Sequence, residues 1–257
     1  MVLHVVPAAL RGHTGMVELL LGKGASIEAT GEDRNTPLHL ATRSGYTGTV
    51  ELLLKRGAST QAVFSNTNPV LHLAAWNGHT AVAELLLREV AYIDEIGEED
   101  SSPVHLVVVS GHTGVVKLLL EKGTLIDVTD KYSNTPFHLA TCNGHTGVVE
   151  LLLRKDAPTE AVDEYNNTPL HHTARSGHIG VVNLLLENSA SIQAINDSDY
   201  TPLHLAAQMG HSNVVQLLEN KAAEHVHYRS TSYEDQMDTS NPSSKNCGGK
   251  KRKWGTD

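Results

Sequence analysis

The stretch Asn35-Thr36-Pro37-Leu38-His39-Leu40-Ala41-Thr42, followed by Gly45-Tyr46-Thr47-Gly48, then Val50-Glu51-Leu52-Leu53-Leu54 and Gly57-Ala58, carries the signals that decide the fold of this 257-residue chain. Thr36 can accept a backbone N–H as a helix N-cap, and Pro37 has the fixed φ that suits the first helical position. Gly45 tolerates the left-handed conformation that closes the helix. Val50, Leu53 and Leu54 then share one face of a second short helix, which Gly57 closes in turn. Two short antiparallel helices result.

The stretch recurs. Gly12, Gly45, Gly78, Gly111, Gly144, Gly177 and Gly210 are spaced by 33 residues, and each precedes a His or, once, Tyr46. Further helix starts stand at Ser102-Pro103, Thr135-Pro136, Thr168-Pro169 and Thr201-Pro202. Segments between copies, such as 124–134, hold β-branched, Asp, Tyr and Asn residues without helical period and read as hairpin-like connectors. Two helices of about two turns each cannot bury their own leucines, so the copies must stack. The fold class is an all-α repeat solenoid of about seven helix-turn-helix units over residues 1–221, the first incomplete. Residues 222–257 lose the register and read as a flexible polar tail with a basic cluster.

This pattern resembles the ankyrin repeat family, whose helix start appears here as Thr36-Pro37-Leu38-His39, Thr168-Pro169-Leu170-His171 and Thr201-Pro202-Leu203-His204. The resemblance implies that these imidazoles hydrogen-bond within and between repeats, and that the protein binds a protein partner through a concave face and projecting connector tips. Departures stand out. The first copy lacks Thr-Pro, has Pro7 in the place of Leu40, and offers apolar Leu3, Val5 and Val6 where a solenoid end needs polar residues. In the third copy Pro69 comes one place early. Val107 replaces the small residue of Ala41, and His172 and Thr173 stand where Leu40 and Ala41 do. The tips carry Arg34, Thr67, Asp100, Ser133, Asn166 and Asp199 where the family usually has Gly; Asn and Asp tolerate a left-handed conformation that costs Arg and Thr more.

Composition narrows the function. Residues 1–221 carry 14 basic and 24 acidic side chains, a net charge of −10, which argues against direct nucleic-acid binding by the repeats. Cys142 and Cys247 cannot build a disulfide framework and fit a reducing compartment. No apolar run approaches 18 residues and no signal peptide is evident, so neither membrane spanning nor secretion is expected, and the location is cytoplasmic and/or nuclear. Twelve of the 16 histidines fall in two repeat columns, those of His39 and His13. Stacked helices lie ~8–10 Å apart, too far for one column to share a metal with bonds of ~2 Å. Cys142 and His145 are three apart, but Gly144 ends the helix between them. No catalytic residue, metal site, cofactor or small-molecule substrate is therefore read from the chain.

Two columns escape the uniform framework: Arg43, Trp76, Val109, Cys142, Arg175 and Gln208 one turn before each glycine, and Asp33, Asn66, Glu99, Tyr132, Tyr165 and Ser198 at the tips. Positions freed from stacking can specialise. Trp, Tyr and Arg dominate interface energy, so Trp76, Tyr132, Tyr165, Arg175 and Tyr200 are the expected partner-binding residues of a non-enzymatic scaffold or adaptor. A tip Tyr can equally serve hairpin packing. The acidic connectors read either as a solvated rim or as a docking ridge for a basic partner. Lys250, Lys251, Arg252 and Lys253 match a nuclear import signal, with self-docking on the acidic repeats as the other reading. A second hypothesis, prompted by the first copy, makes the chain a terminal ligand-sensing or regulatory fragment of a larger multidomain enzyme or receptor.

Overall fold

Helix starts fall where a hydroxyl precedes proline, and the resulting helices come in pairs. A computed structural model describes residues 5–31, 34–61, 69–89 and 92–224. The pairs are α1 (Val5–Leu10) with α2 (Thr14–Gly22), α3 (Pro37–Arg43) with α4 (Thr47–Lys55), α5 (Val70–Trp76) with α6 (Thr80–Glu89), α7 (Pro103–Ser110) with α8 (Thr113–Glu121), α9 (Pro136–Cys142) with α10 (Thr146–Leu153), and α11 (Pro169–Ser176) with α12 (Ile179–Glu187). α13 (Pro202–Gln208) follows, and helical backbone also covers 212–224. Among the described residues there is no strand. The chain divides into two compact units between Val215 and Gln216. In the first, odd-numbered helices pack in one row from α1 to α13 and even-numbered helices in a second from α2 to α12. This is an all-helical repeat stack.

The Thr-Pro-Leu-His start has a double task. Thr36 Oγ1 accepts the backbone N–H of His39 at 3.4 Å and lies 2.7 Å from His39 Nδ1. Ser102, Thr135, Thr168 and Thr201 face the matching histidines, each at 2.9 Å. The far ring nitrogen then donates to the next connector: His72 to Ser101 O (2.9 Å), His105 to Asn134 O (3.3 Å), His138 to Ala161 O (3.0 Å) and His171 to Tyr200 O (2.9 Å). His105, His138 and His171 thus cap a helix and tie two repeats together. In the third copy α5 still starts in register, at Val70, with Pro69 in the N-cap place. Proline has no hydroxyl, and His72 Nδ1 is left without a partner.

The periodic glycines carry two constraints. Gly144 has φ +73°, a left-handed conformation, and a Cβ on it would lie 2.6 Å from the ring of His178 in the next repeat. The same holds at 2.6 Å for Gly78 with His112, Gly111 with His145 and Gly177 with His211. Three of those rings are held in place, since His145 donates to Val109 O (2.8 Å), His178 to Cys142 O (3.0 Å) and His211 to Arg175 O (2.9 Å).

The ends and tips refine the sequence reading. Val5 is fully buried, and the exposed large hydrophobic side chains of the first pair are Leu10, Met16 and Leu19. The tips adopt the left-handed conformation without glycine: φ is +57° at Arg34, +56° at Asp100, +61° at Ser133, +58° at Asn166 and +59° at Asp199. Arg34 and Ser133 therefore accept the conformational cost instead of using another turn. Thr67 lies outside the described residues.

Candidate interaction surface

Each later connector turns around one side chain. Asp130 Oδ1 accepts the N–H groups of Tyr132 and Asn134, both at 2.9 Å; Asp163 Oδ1 accepts those of Tyr165 and Asn167, both at 2.8 Å; Asn196 Oδ1 accepts those of Ser198 and Tyr200, both at 3.0 Å. Successive tips are then bonded main chain to main chain. Lys131 N–H donates to Glu99 O (3.0 Å), Glu164 N–H to Tyr132 O (3.3 Å) and Asp197 N–H to Tyr165 O (3.1 Å). Four tips thus form one hydrogen-bonded ridge. A second tie runs below it: Glu28 accepts Ser59 N–H and Glu160 accepts Ser191 N–H, each at 2.8 Å, while Asp94 accepts Leu125 N–H at 3.2 Å.

The ridge exposes aromatic rings. Tyr132, Tyr165 and Tyr200 are 44%, 60% and 42% exposed, with Tyr132 and Tyr165 on adjacent bonded tips. Lys131 Nζ sits 4.7 Å from the Tyr132 ring centroid and pairs with Glu99 at 2.8 Å. Trp76 ends α5 and is 49% exposed, and Arg175 is exposed on α11. α7 and α9 stand between these two helices in the row, so Trp76 and Arg175 are not neighbours. Lys250, Lys251, Arg252 and Lys253 lie outside the described residues, as do Asp33 and Asn66. Ile96, Val162 and Ile195, each about half exposed, also line the connectors, and the sequence reading passed over them. Their signal was an apolar residue recurring in a polar connector column.

Charge at the tips has two uses. Asp130 and Asp163 are occupied by their own turns, whereas Glu99, Asp100, Glu164, Asp197 and Asp199 are exposed. Cys142 and His145 do not form a pair: His145 is bonded to Val109 O, and the Cys142 thiol faces His172 and Ser176.

A family model described as ankyrin repeats matches three times, at residues 5–95, 71–163 and 156–228. The chain belongs to the ankyrin repeat family. Among solved structures, the ankyrin repeat domain of human ASB11 superposes with a TM-score of 0.76 at 26% identity, covering 83% of this chain and 96% of that one. No curated protein matches the chain in a sequence search. Ankyrin repeats are generally protein–protein interaction modules, a family of non-catalytic scaffolds. Among the described residues of this ankyrin stack, no helix is long and apolar enough to cross a membrane, and no group of three or more His, Cys, Asp or Glu is arranged to hold a metal ion.

Proposed function

We propose that this ankyrin stack is an adaptor that grips a protein partner through its tip ridge and the adjoining odd-numbered helices, with Tyr132, Tyr165 and Tyr200 as anchors and Trp76 and Arg175 as outlying contacts. The observation that carries the reading is the bonded ridge beneath exposed tyrosines. Association costs less when the binding surface is already ordered, and a Tyr side chain fixes only two torsions for a large amphipathic contact. Stacking of the repeats makes no demand on these side chains. The net charge of −10 over residues 1–221 favours a partner with a basic face.

Quantitative capture from cell extract tests the proposal with three baits: the natural chain, the Tyr132→Ala/Tyr165→Ala/Tyr200→Ala variant, and a Lys117→Ala/Glu121→Ala control on α8. At least one protein is expected to be retained by the natural and control baits and lost from the tip variant. An identical set on all three baits rejects the tips as the binding surface. The cluster from Lys250 to Lys253 is read as an import signal. Residues 240–257 fused to a cytoplasmic reporter should carry it into the nucleus, with alanine at all four positions abolishing the transfer; a reporter that stays in the cytoplasm rejects it.

A further inference from the structure

The sixth repeat breaks the framework at His172 and Thr173, and the first of these builds a cluster. Where copies two to five and copy seven have Leu40, Leu73, Leu106, Leu139 and Leu205, this one has His172 on α11. Its Nε2–H donates to Asp163 Oδ2 at 2.9 Å, with the His172 side chain 20% and the Asp163 side chain 5% exposed. Asp163 is anchored by Tyr165 N–H (2.8 Å), Asn167 N–H (2.8 Å) and the Asn167 side-chain amide (3.1 Å), so the carboxylate cannot swing away. With Nε2 engaged, Nδ1 is the ring nitrogen left for the interaction with Cys142, at the end of α9, that raises the His172 pKa. Ser176, one turn beyond His172, places its Oγ 3.9 Å from Cys142 Sγ. The ring of His138 stands edge-on to His172, with centroids 5.6 Å apart.

Electrostatics follow the geometry. Burial alone would lower the His172 pKa, but the bonds to Asp163 and Cys142 raise it to about 9, so the ring is a cation at neutral pH. That hydrogen bond, opposed by burial and helped by the charges of His172 and Arg175, holds the Cys142 thiol below its ordinary value. Burial lowers the pKa of His138, which also faces the cluster, to about 4 and shifts that of His171 the same way. The result is a thiol of lowered pKa beside an imidazolium that a carboxylate backs. Low-pKa, partly accessible thiols beside a cation are the reactive ones.

We propose that Cys142 is a peroxide-reactive thiol, with His172 as its proton donor, Asp163 as the residue positioning His172, and Ser176 as the group that receives the oxidised product. The thiolate sulfur attacks one oxygen of hydrogen peroxide as the O–O bond breaks. The departing hydroxide takes the Nδ1 proton of His172 and leaves as water. Sulfur loses two electrons to the peroxide and becomes a sulfenic acid, whose oxygen Ser176 can hydrogen-bond. An alkylating agent would use only the thiolate. A peroxide uses the proton donor as well, and its small size suits a thiol that is only partly exposed.

The test uses the full chain with Cys247→Ser, which leaves Cys142 as the sole thiol, since the chain has two cysteines. Sulfenic acid formed by hydrogen peroxide is trapped with dimedone and followed by peptide mass, and iodoacetamide alkylation is measured in parallel from pH 6 to 8. An ordinary thiol reacts about fifty- to a hundredfold faster at pH 8 than at pH 6. For Cys142 a distinctly smaller rise is expected in both reactions, because its pKa is held below the ordinary value. His172→Leu installs the residue of copies two to five and copy seven and should fold, as circular dichroism would verify; His172→Gln serves as the second variant. Both should restore the steep profile and slow the reaction at pH 6. Asp163→Asn should shift the profile in the same direction by a smaller amount. A steep profile in the natural sequence, or one that neither His172 variant changes, overturns the proposal. So does flat, rapid alkylation with peroxide oxidation no faster than that of free glutathione, which would leave an activated thiol without peroxide chemistry.

Discussion

At the residue scale the structure assigns most histidines to scaffolding, and their burial gives them a pH signature. Burial pushes His39 down to about 4, and burial with the nearby His172 charge does the same to His138. His72, His105 and His171 shift the same way, each mainly through burial. A folded-state pKa depressed below the unfolded value of about 6.5 means that stability is fully present above pH 6.5 and is lost as pH falls toward 4. His39 and His138 should each withdraw on the order of 3 kcal/mol by pH 4. Thermal melts across pH 7 to 4 should show a steep fall that starts near pH 6.5, and a flat profile down to pH 5 would contradict it. His172 acts in the opposite sense, its contribution being present below pH 6.5 and lost as pH rises through about 9. Pro69 offers a gain instead. The double variant Pro69→Thr/Val70→Pro restores the hydroxyl that His72 Nδ1 lacks and should add about 1 kcal/mol, raising the melting temperature by about 2–4 °C. An unchanged or lowered melting temperature would show that the orphaned nitrogen costs nothing.

At the element scale the helix boundaries were legible because caps are local. Thr-Pro at the start and Gly at the end need only neighbours in sequence, and α3, α9, α11 and α13 begin at the prolines that the pattern marks. The second constraint on the glycines was hidden, since it joins residues 34 apart, although both columns were in view. A matched pair separates the two effects. Gly144→Ala forces alanine into the left-handed region and against the His178 ring, whereas a Cβ on Gly210, at φ +76°, meets nothing within 4 Å among the described residues. Gly210→Ala should cost about 1–2 kcal/mol, and Gly144→Ala about 2 kcal/mol more, because the ring must leave its bond to Cys142 O. Equal midpoint shifts in urea would remove the packing role assigned to the histidine rings.

At the scale of the whole molecule the period of 33 residues gave away the stack, whereas the surfaces built between repeats were harder to foresee. Tyr132 and Tyr165 stood out because they break a column, but the main-chain bonds that join their tips leave no trace in side-chain identity. The Cys142–His172–Asp163 cluster was missed for a related reason. Its members come from α9, a connector and α11, and the visible clue was a histidine in a leucine column. Sequence distance drew attention to Cys142 and His145, which the helix end separates. The binding surface itself is open to one direct measurement: calorimetric titration of a partner recovered by tip-dependent capture, against the natural chain and the Tyr132→Ala/Tyr165→Ala/Tyr200→Ala variant. Anchors at a central, preordered ridge are each worth about 2 kcal/mol, so a loss of affinity of about a hundredfold or more is expected, with the melting temperature and circular dichroism of the variant unchanged. A well-folded variant that binds within about threefold of the natural chain would contradict the tip ridge as the site of recognition.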